Sequence, residues 1–189
     1  MKIGRSISAT MFVLFVIWAV FIVSRFFPAM LEYGIVPHSQ RGLIGIILAP
    51  FLHGSFGHII ANSVPLGVFV FVLFLFYNRI AVPVIVLSIV LGGLLVWLFG
   101  RQACHIGASG LIYSLAGFLV TSGIVRKKFW LFLLSVILIF LYGGLIWGVL
   151  PSDPRISWEG HLFGAVSGIL LAFFFRKTPL SETNRMTSN

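Results

Sequence analysis

Apolar residues gather into six long runs: about Ile7 to Phe27, His58 to Tyr77, Ile80 to Phe99, Ser109 to Val125, Phe129 to Leu150 and His161 to Phe175. Runs near twenty residues match the roughly 30 Å of hydrocarbon that a helix must cross at 1.5 Å per residue. The pattern predicts an all-α membrane protein, a bundle of six transmembrane helices over residues 1–177 followed by a polar tail, 178–189. Lys2 and Arg5 ahead of the first run give it the look of a signal peptide. Its length and its Ser24-Arg25-Phe26-Phe27 end, without a small-residue cleavage site, read as a retained span. The apolar stretch Leu43 to Leu52 is too short to cross and predicts an interfacial or re-entrant element in the first outer loop. No repeat, low-complexity tract or soluble domain is visible.

Composition agrees: 59% of residues are hydrophobic and 9% charged, against about 25% charged in soluble domains. A single cysteine, Cys104, offers no internal disulfide, and no Cys/His spacing reads as a zinc site. The net charge of +9 lies between runs and at the termini rather than in a patch, so it reports topology and not nucleic acid. With both termini on one side, Lys2, Arg5, Arg79, Arg126, Lys127, Lys128, Arg176, Lys177 and Arg185 share it, facing Arg25, Arg41, Arg101 and Arg155. The positive-inside rule makes the termini cytoplasmic, and Arg126-Lys127-Lys128 an orientation signal rather than a binding patch. Glu32, Asp153 and Glu159 then lie outside.

Polar side chains within hydrocarbon are costly and need a reason. Counted back from the inner ends of their spans, Asn62, Ser109 and His161 lie roughly 21 to 24 Å above the inner boundary, with His58 one turn higher. One layer thus holds a hydroxyl, two imidazoles and an amide. A serine hydroxyl becomes a nucleophile when a neutral imidazole takes its proton, and that imidazole later protonates a leaving amine. Glu159, two residues from His161, points about 200° away in a helix and does not orient that ring, so Ser109 and His161 read as a dyad. Tyr113, one turn from Ser109, is placed to pack its ring on the base.

Gly107-Ala108-Ser109-Gly110 puts the serine at a helix start, where free N–H groups and the dipole favour an oxyanion. His58 and Asn62, at i and i+4, are placed to add side-chain donors. Leu111 stands where a G-x-S-x-G elbow needs glycine. Gly160, Gly164, Gly168 and Ala172 form a stripe that lets another helix approach closely, the fourth span being the natural partner. His53 reads as packing the outer loop on the second span, His105 and Cys104 as loop filler, and His38 as surface loop. Trp18, Trp97, Trp130, Trp147 and Trp158 sit near span ends, as interfacial anchors do.

As a set, Gly107-Ala108-Ser109-Gly110, His161 with Gly164 and Gly168, and His53, His58 and Asn62 in H-x-x-x-x-H-x-x-x-N resemble the rhomboid family of intramembrane serine proteases. The resemblance covers about residues 1 to 177. It implies peptide-bond hydrolysis in or near the membrane, with Ser109 as nucleophile, His161 as base, Tyr113 stacked on it, and the Ser109 N–H, His58 and Asn62 around the oxyanion. It further implies a water-filled cavity open to the outer side, no metal or cofactor, and transmembrane helices as substrates. The family's Trp-Arg pair in the first outer loop is Gln40-Arg41 here, so only Arg41 carries over. By analogy the location is a prokaryotic inner membrane. The alternative is a non-catalytic membrane-protein binder or chaperone. A transporter lacks an inverted repeat and an acid within a span, and a metalloprotease lacks H-E-x-x-H.

Overall fold

The computed structural model describes residues 2–151 and 156–180. Asp153, Arg155, Arg185 and most of the expected tail lie outside the described residues.

Among the described residues seven α-helices follow in order: α1 (Lys2–Phe26), α2 (Gly42–Leu48), α3 (Phe56–Tyr77), α4 (Ala81–Phe99), α5 (Ser109–Val125), α6 (Phe129–Tyr142) and α7 (Trp158–Phe174). Short 3-10 segments cover Pro28–Tyr33, Ala49–Phe51 and Gly143–Val149. Among the described residues four helices are long and apolar enough to cross a bilayer, while α5 and α7 have 17 residues each. At 1.5 Å per residue those two reach only about 25 Å. Ser109 is the first residue of α5, and His161 lies in the first turn of α7.

Several boundaries differ from the sequence reading, each for a local reason. Helix α1 begins at Lys2 rather than Ile7, and Arg5 is tied to the Asn78 side chain at 2.9 Å. Helices α3 and α7 begin two and three residues early because Ser55 and Ser157 act as N-caps, accepting the amides of His58 and Gly160. The fifth run is α-helical only to Tyr142, and Gly143 and Gly144, poor helix formers, open a 3-10 segment that runs to Val149.

The core is built from Ile17, Leu66, Phe69, Leu73, Tyr77, Leu115, Phe118 and Leu119, all essentially inaccessible. Helix α7 lies directly against α5. A Cβ on Gly164 or Gly168 would run into the backbone oxygens of Gly110 and Ser114, and one on Gly117 would sit 2.7 Å from the Ala165 oxygen. Below this seam Ser114 Oγ donates to Ser88 Oγ at 2.8 Å and meets Ser167 Oγ at 2.9 Å, joining α4, α5 and α7 by buried hydroxyls. At the opposite end the Arg126 guanidinium donates to Ser122 Oγ and to the carbonyls of Thr178 and Phe175, and lies over the Tyr77 ring. Arg126 thus clasps the end of α7, in addition to any part in orientation.

The loop between α1 and α3 is folded on itself and on α4. Gly42 and Gly45 touch the backbone of Val36 and Gly34, and Gly93 of α4 presses on Ile46. Helix α2 has seven residues, too few to span. Ile35 pairs antiparallel with His105, so this loop is stitched to the loop that precedes α5.

Candidate active site

The loop before α5 ends in a turn that only glycine adopts easily: Gly107 has φ +117°. A Cβ there would lie 2.5 Å from His58 Nε2 and 3.6 Å from Asn62 Nδ2. The bare face of Gly107 is therefore what admits both side chains of α3 to the start of α5. The Gly107 amide is fixed by the Ala49 carbonyl at 2.9 Å, and the Ala108 amide by His53 Nε2 at 3.4 Å. Ile112 donates to the Ala108 carbonyl, so the amides at the very start of α5 precede the intrahelical ladder.

His53 is buried, with Nδ1–H donating to the Phe51 carbonyl at 3.3 Å and Nε2 accepting from Ala108. Both nitrogens are used in anchoring the loop, in keeping with a packing role. Burial, reinforced by His58 with ring centroids 5.0 Å apart, pulls its pKa down to about 4, so the ring is neutral at ordinary pH.

His161 stacks on Tyr113, centroids 4.2 Å apart and planes 7° from parallel. Its Nδ1 lies 2.8 Å from the Gly148 carbonyl, and because a carbonyl only accepts, Nδ1 carries the proton and Nε2 is left with a lone pair. Tyr113 donates its hydroxyl to the Leu145 carbonyl at 2.7 Å. The 3-10 segment Gly143–Val149 thus holds both rings, and a Cβ on Gly148 would strike the Tyr113 hydroxyl. Glu159 makes no contact with His161 among the described bonds; it faces Arg101, 3.4 Å away.

Ser109, His161, Tyr113, His58 and Asn62 line one cavity of about 650 Å³. Among the described residues, the His161 ring is hydrogen-bonded to the Gly148 carbonyl and not to the Ser109 hydroxyl. Asn62 is nearly buried, and its Nδ2 has no partner, leaving a donor free within the cavity. Pro65 cannot donate to the carbonyl four residues back, and it lines the same cavity together with Ala61. Gly110 faces the Gly160 carbonyl, and Gly164 and Gly168 set the α5–α7 separation.

Three features escaped the sequence reading. Gly148 and the carbonyls of Leu145 and Gly148 were hidden inside an apparently continuous span; the glycines at 143, 144 and 148 were the available signal. Pro65 lies one turn from Asn62 inside an apolar run, and a proline at that place is the signal. His105, expected to fill a loop, is 5% exposed and bonded through both nitrogens, to Ser157 Oγ at 2.6 Å and the Arg101 carbonyl at 3.0 Å. Cys104 is exposed, and His38 is an exposed loop residue tied to the Leu98 carbonyl.

Apolar helices packed around a cavity lined by Ser109, His58, Asn62 and His161 define a multi-pass, all-α membrane protein of the rhomboid kind. The family model for the rhomboid domain matches residues 40–178, and the chain belongs to the rhomboid family. An uncharacterized protein of Mycobacterium tuberculosis is 38% identical over 149 residues, 74% of this chain and 62% of that protein. Another, from Mycobacterium leprae, is 36% identical over 140 residues, 69% of this chain and 55% of that protein. The chain spans less than two thirds of the length of these curated relatives. The relatives are bacterial.

Proposed function

We infer that the chain is an intramembrane serine endopeptidase in which Ser109 and His161 form the dyad. Ser109 Oγ attacks a substrate carbonyl carbon as its proton passes to His161 Nε2. The tetrahedral oxyanion is met by the Ser109 amide and by His58 and Asn62. The C–N bond then breaks, the new amine takes the proton from His161, and water hydrolyses the acyl-serine by the same steps in reverse. The observation that carries this reading is the pinned imidazole: Gly148 holds Nδ1–H and Tyr113 holds the plane, leaving Nε2 in the cavity that Ser109 lines. A carbonyl here does the orienting that a carboxylate does in a triad. A catalytic hydrogen bond between two such groups tightens in the complex with substrate.

The substrates are transmembrane segments that unwind into the cavity, since a helical peptide bond is shielded by its own hydrogen bonds. The membrane is a prokaryotic plasma membrane, with the cavity outward and both termini cytoplasmic, the sense in which basic residues favour the inner side. The second reading, a non-catalytic holder of transmembrane helices, draws on the missing Ser109–His161 bond. A fluorophosphonate probe separates the two: labelling of Ser109 in the reconstituted chain, abolished by Ser109→Ala and by His161→Ala, supports the protease. No labelling where a control serine hydrolase reacts supports the holder.

A further inference from the structure

Glu159 is a buried carboxylate to which the dyad assigns no task. It lies at the start of α7, 1% exposed, two residues before His161. Opposite it is Arg101, which precedes Ser109 by eight residues in the loop leading to α5. Arg101 Nε lies 3.4 Å from Glu159 Oε1, and its Nη2 donates to the Ile156 carbonyl at 2.8 Å. Beside this pair the Ser157 hydroxyl donates to His105 Nδ1, since His105 Nε2–H is spent on the Arg101 carbonyl. Ser157 Oγ also accepts the Gly160 amide and caps α7. Residues 101 and 105 of one loop thus grip residues 156, 157 and 159 of the other.

A buried ion pair is a weak source of net stability, because desolvating the carboxylate offsets the attraction. Removing one partner, by contrast, leaves a charge stranded. What the pair does supply is register. The serine and the imidazole come from different helices: α5 begins eight residues after Arg101, and Glu159 lies in the first turn of α7. A misplacement of about 1 Å between such groups can cost roughly 100-fold in rate.

We propose that Arg101 and Glu159 are positioning residues that hold the Ser109-bearing loop in register with the His161-bearing helix start. The proposal rests on the protease reading. Neither side chain touches the reacting atoms; both act through the backbone they tie. The Arg101 side chain is 37% exposed and the Glu159 side chain 2%, so replacing Arg101 changes the less buried of the two side chains.

The test uses the full chain in liposomes with a transmembrane substrate, comparing wild type, Ser109→Ala, Arg101→Gln, Arg101→Lys, Glu159→Gln and the Arg101→Gln/Glu159→Gln double variant. Arg101→Gln and Glu159→Gln should each lower kcat and the rate of fluorophosphonate labelling about 10- to 100-fold, with KM within about 2-fold. The double variant should be no slower than the slower single one, because both break the same contact. Arg101→Lys, which keeps the charge and loses the forked donor, should fall between wild type and Arg101→Gln. Should Glu159→Gln fail to fold, Arg101→Gln decides alone. Wild-type kcat and labelling in Arg101→Gln, or an effect confined to KM, overturns the positioning role while leaving the dyad intact. A wild-type chain that neither cleaves nor labels at Ser109 overturns both.

Discussion

The α5–α7 seam and the segment after α6 hold the same two rings in opposite ways. Along the seam, helix backbones touch: Gly164 and Gly168 lie against Gly110 and Ser114 with no room for a methyl group, and three serine hydroxyls link below. After α6, the 3-10 segment reaches the rings through single carbonyl contacts, while its Ile146 and Trp147 are 66% and 69% exposed. Close-packed interfaces resist deformation, so the seam fixes where Ser109 and His161 can be. The segment fixes only how the imidazole and phenol are turned. Position and orientation are thus set by different parts of the chain, and the two parts should fail differently.

The largest effect should come from the seam. Gly168→Leu forces a side chain into the Ser114 backbone and should cost more than the ~3 kcal/mol of a tolerated overpacked site, so the chain should lose its cooperative melt in detergent. A normal Tm would show that α5 and α7 can part. Gly148→Ala should do the reverse. Its methyl displaces the Tyr113 hydroxyl and crowds His161 Nδ1, lowering kcat about 100-fold while moving Tm little. Equal losses of rate and stability in that variant would erase the distinction drawn here.

Smaller changes sharpen it. Tyr113→Phe keeps the stack and strands the Leu145 carbonyl, costing about 1 kcal/mol of stability, with a rate loss well short of that in Gly148→Ala. His53 gives a pH signature away from both regions. Its pKa of about 4 lies below the ordinary 6.5, so as pH falls from 6.5 toward 4 the unfolded chain takes a proton that the folded one refuses. Stability should therefore decline over that window and level off beneath it, and His53→Gln should flatten the decline in a Tm-versus-pH series. Arg41→Gln, which breaks an exposed pair with Glu32 at 2.5 Å, should leave Tm unchanged.

Much of this was legible in the sequence because hydrocarbon punishes polar groups, so the few in the spans stood out. The α5 bounds, Ser109–Val125, match the reading, and the helical-rise count expects Ser109, His161 and Asn62 near one another, which all line one cavity. The S-x-x-H and S-x-x-G caps at Ser55 and Ser157 were available as signals, and missing them put two helix starts late. The grip of Arg101 and His105 on residues 156–159 was not legible, since it depends on loop paths that no periodicity encodes. The same holds for the Gly148 carbonyl, because a 3-10 turn in an apolar run has the hydropathy of the helix it interrupts.

Labelling of Ser109 by a fluorophosphonate in the reconstituted chain, read by mass spectrometry of the modified peptide, tests the central claim most directly. The account predicts a covalent adduct on Ser109 in the wild type and none in His161→Ala, with both proteins melting cooperatively. An adduct formed equally well without the imidazole, or a folded wild type that never reacts while a control hydrolase does, would contradict it.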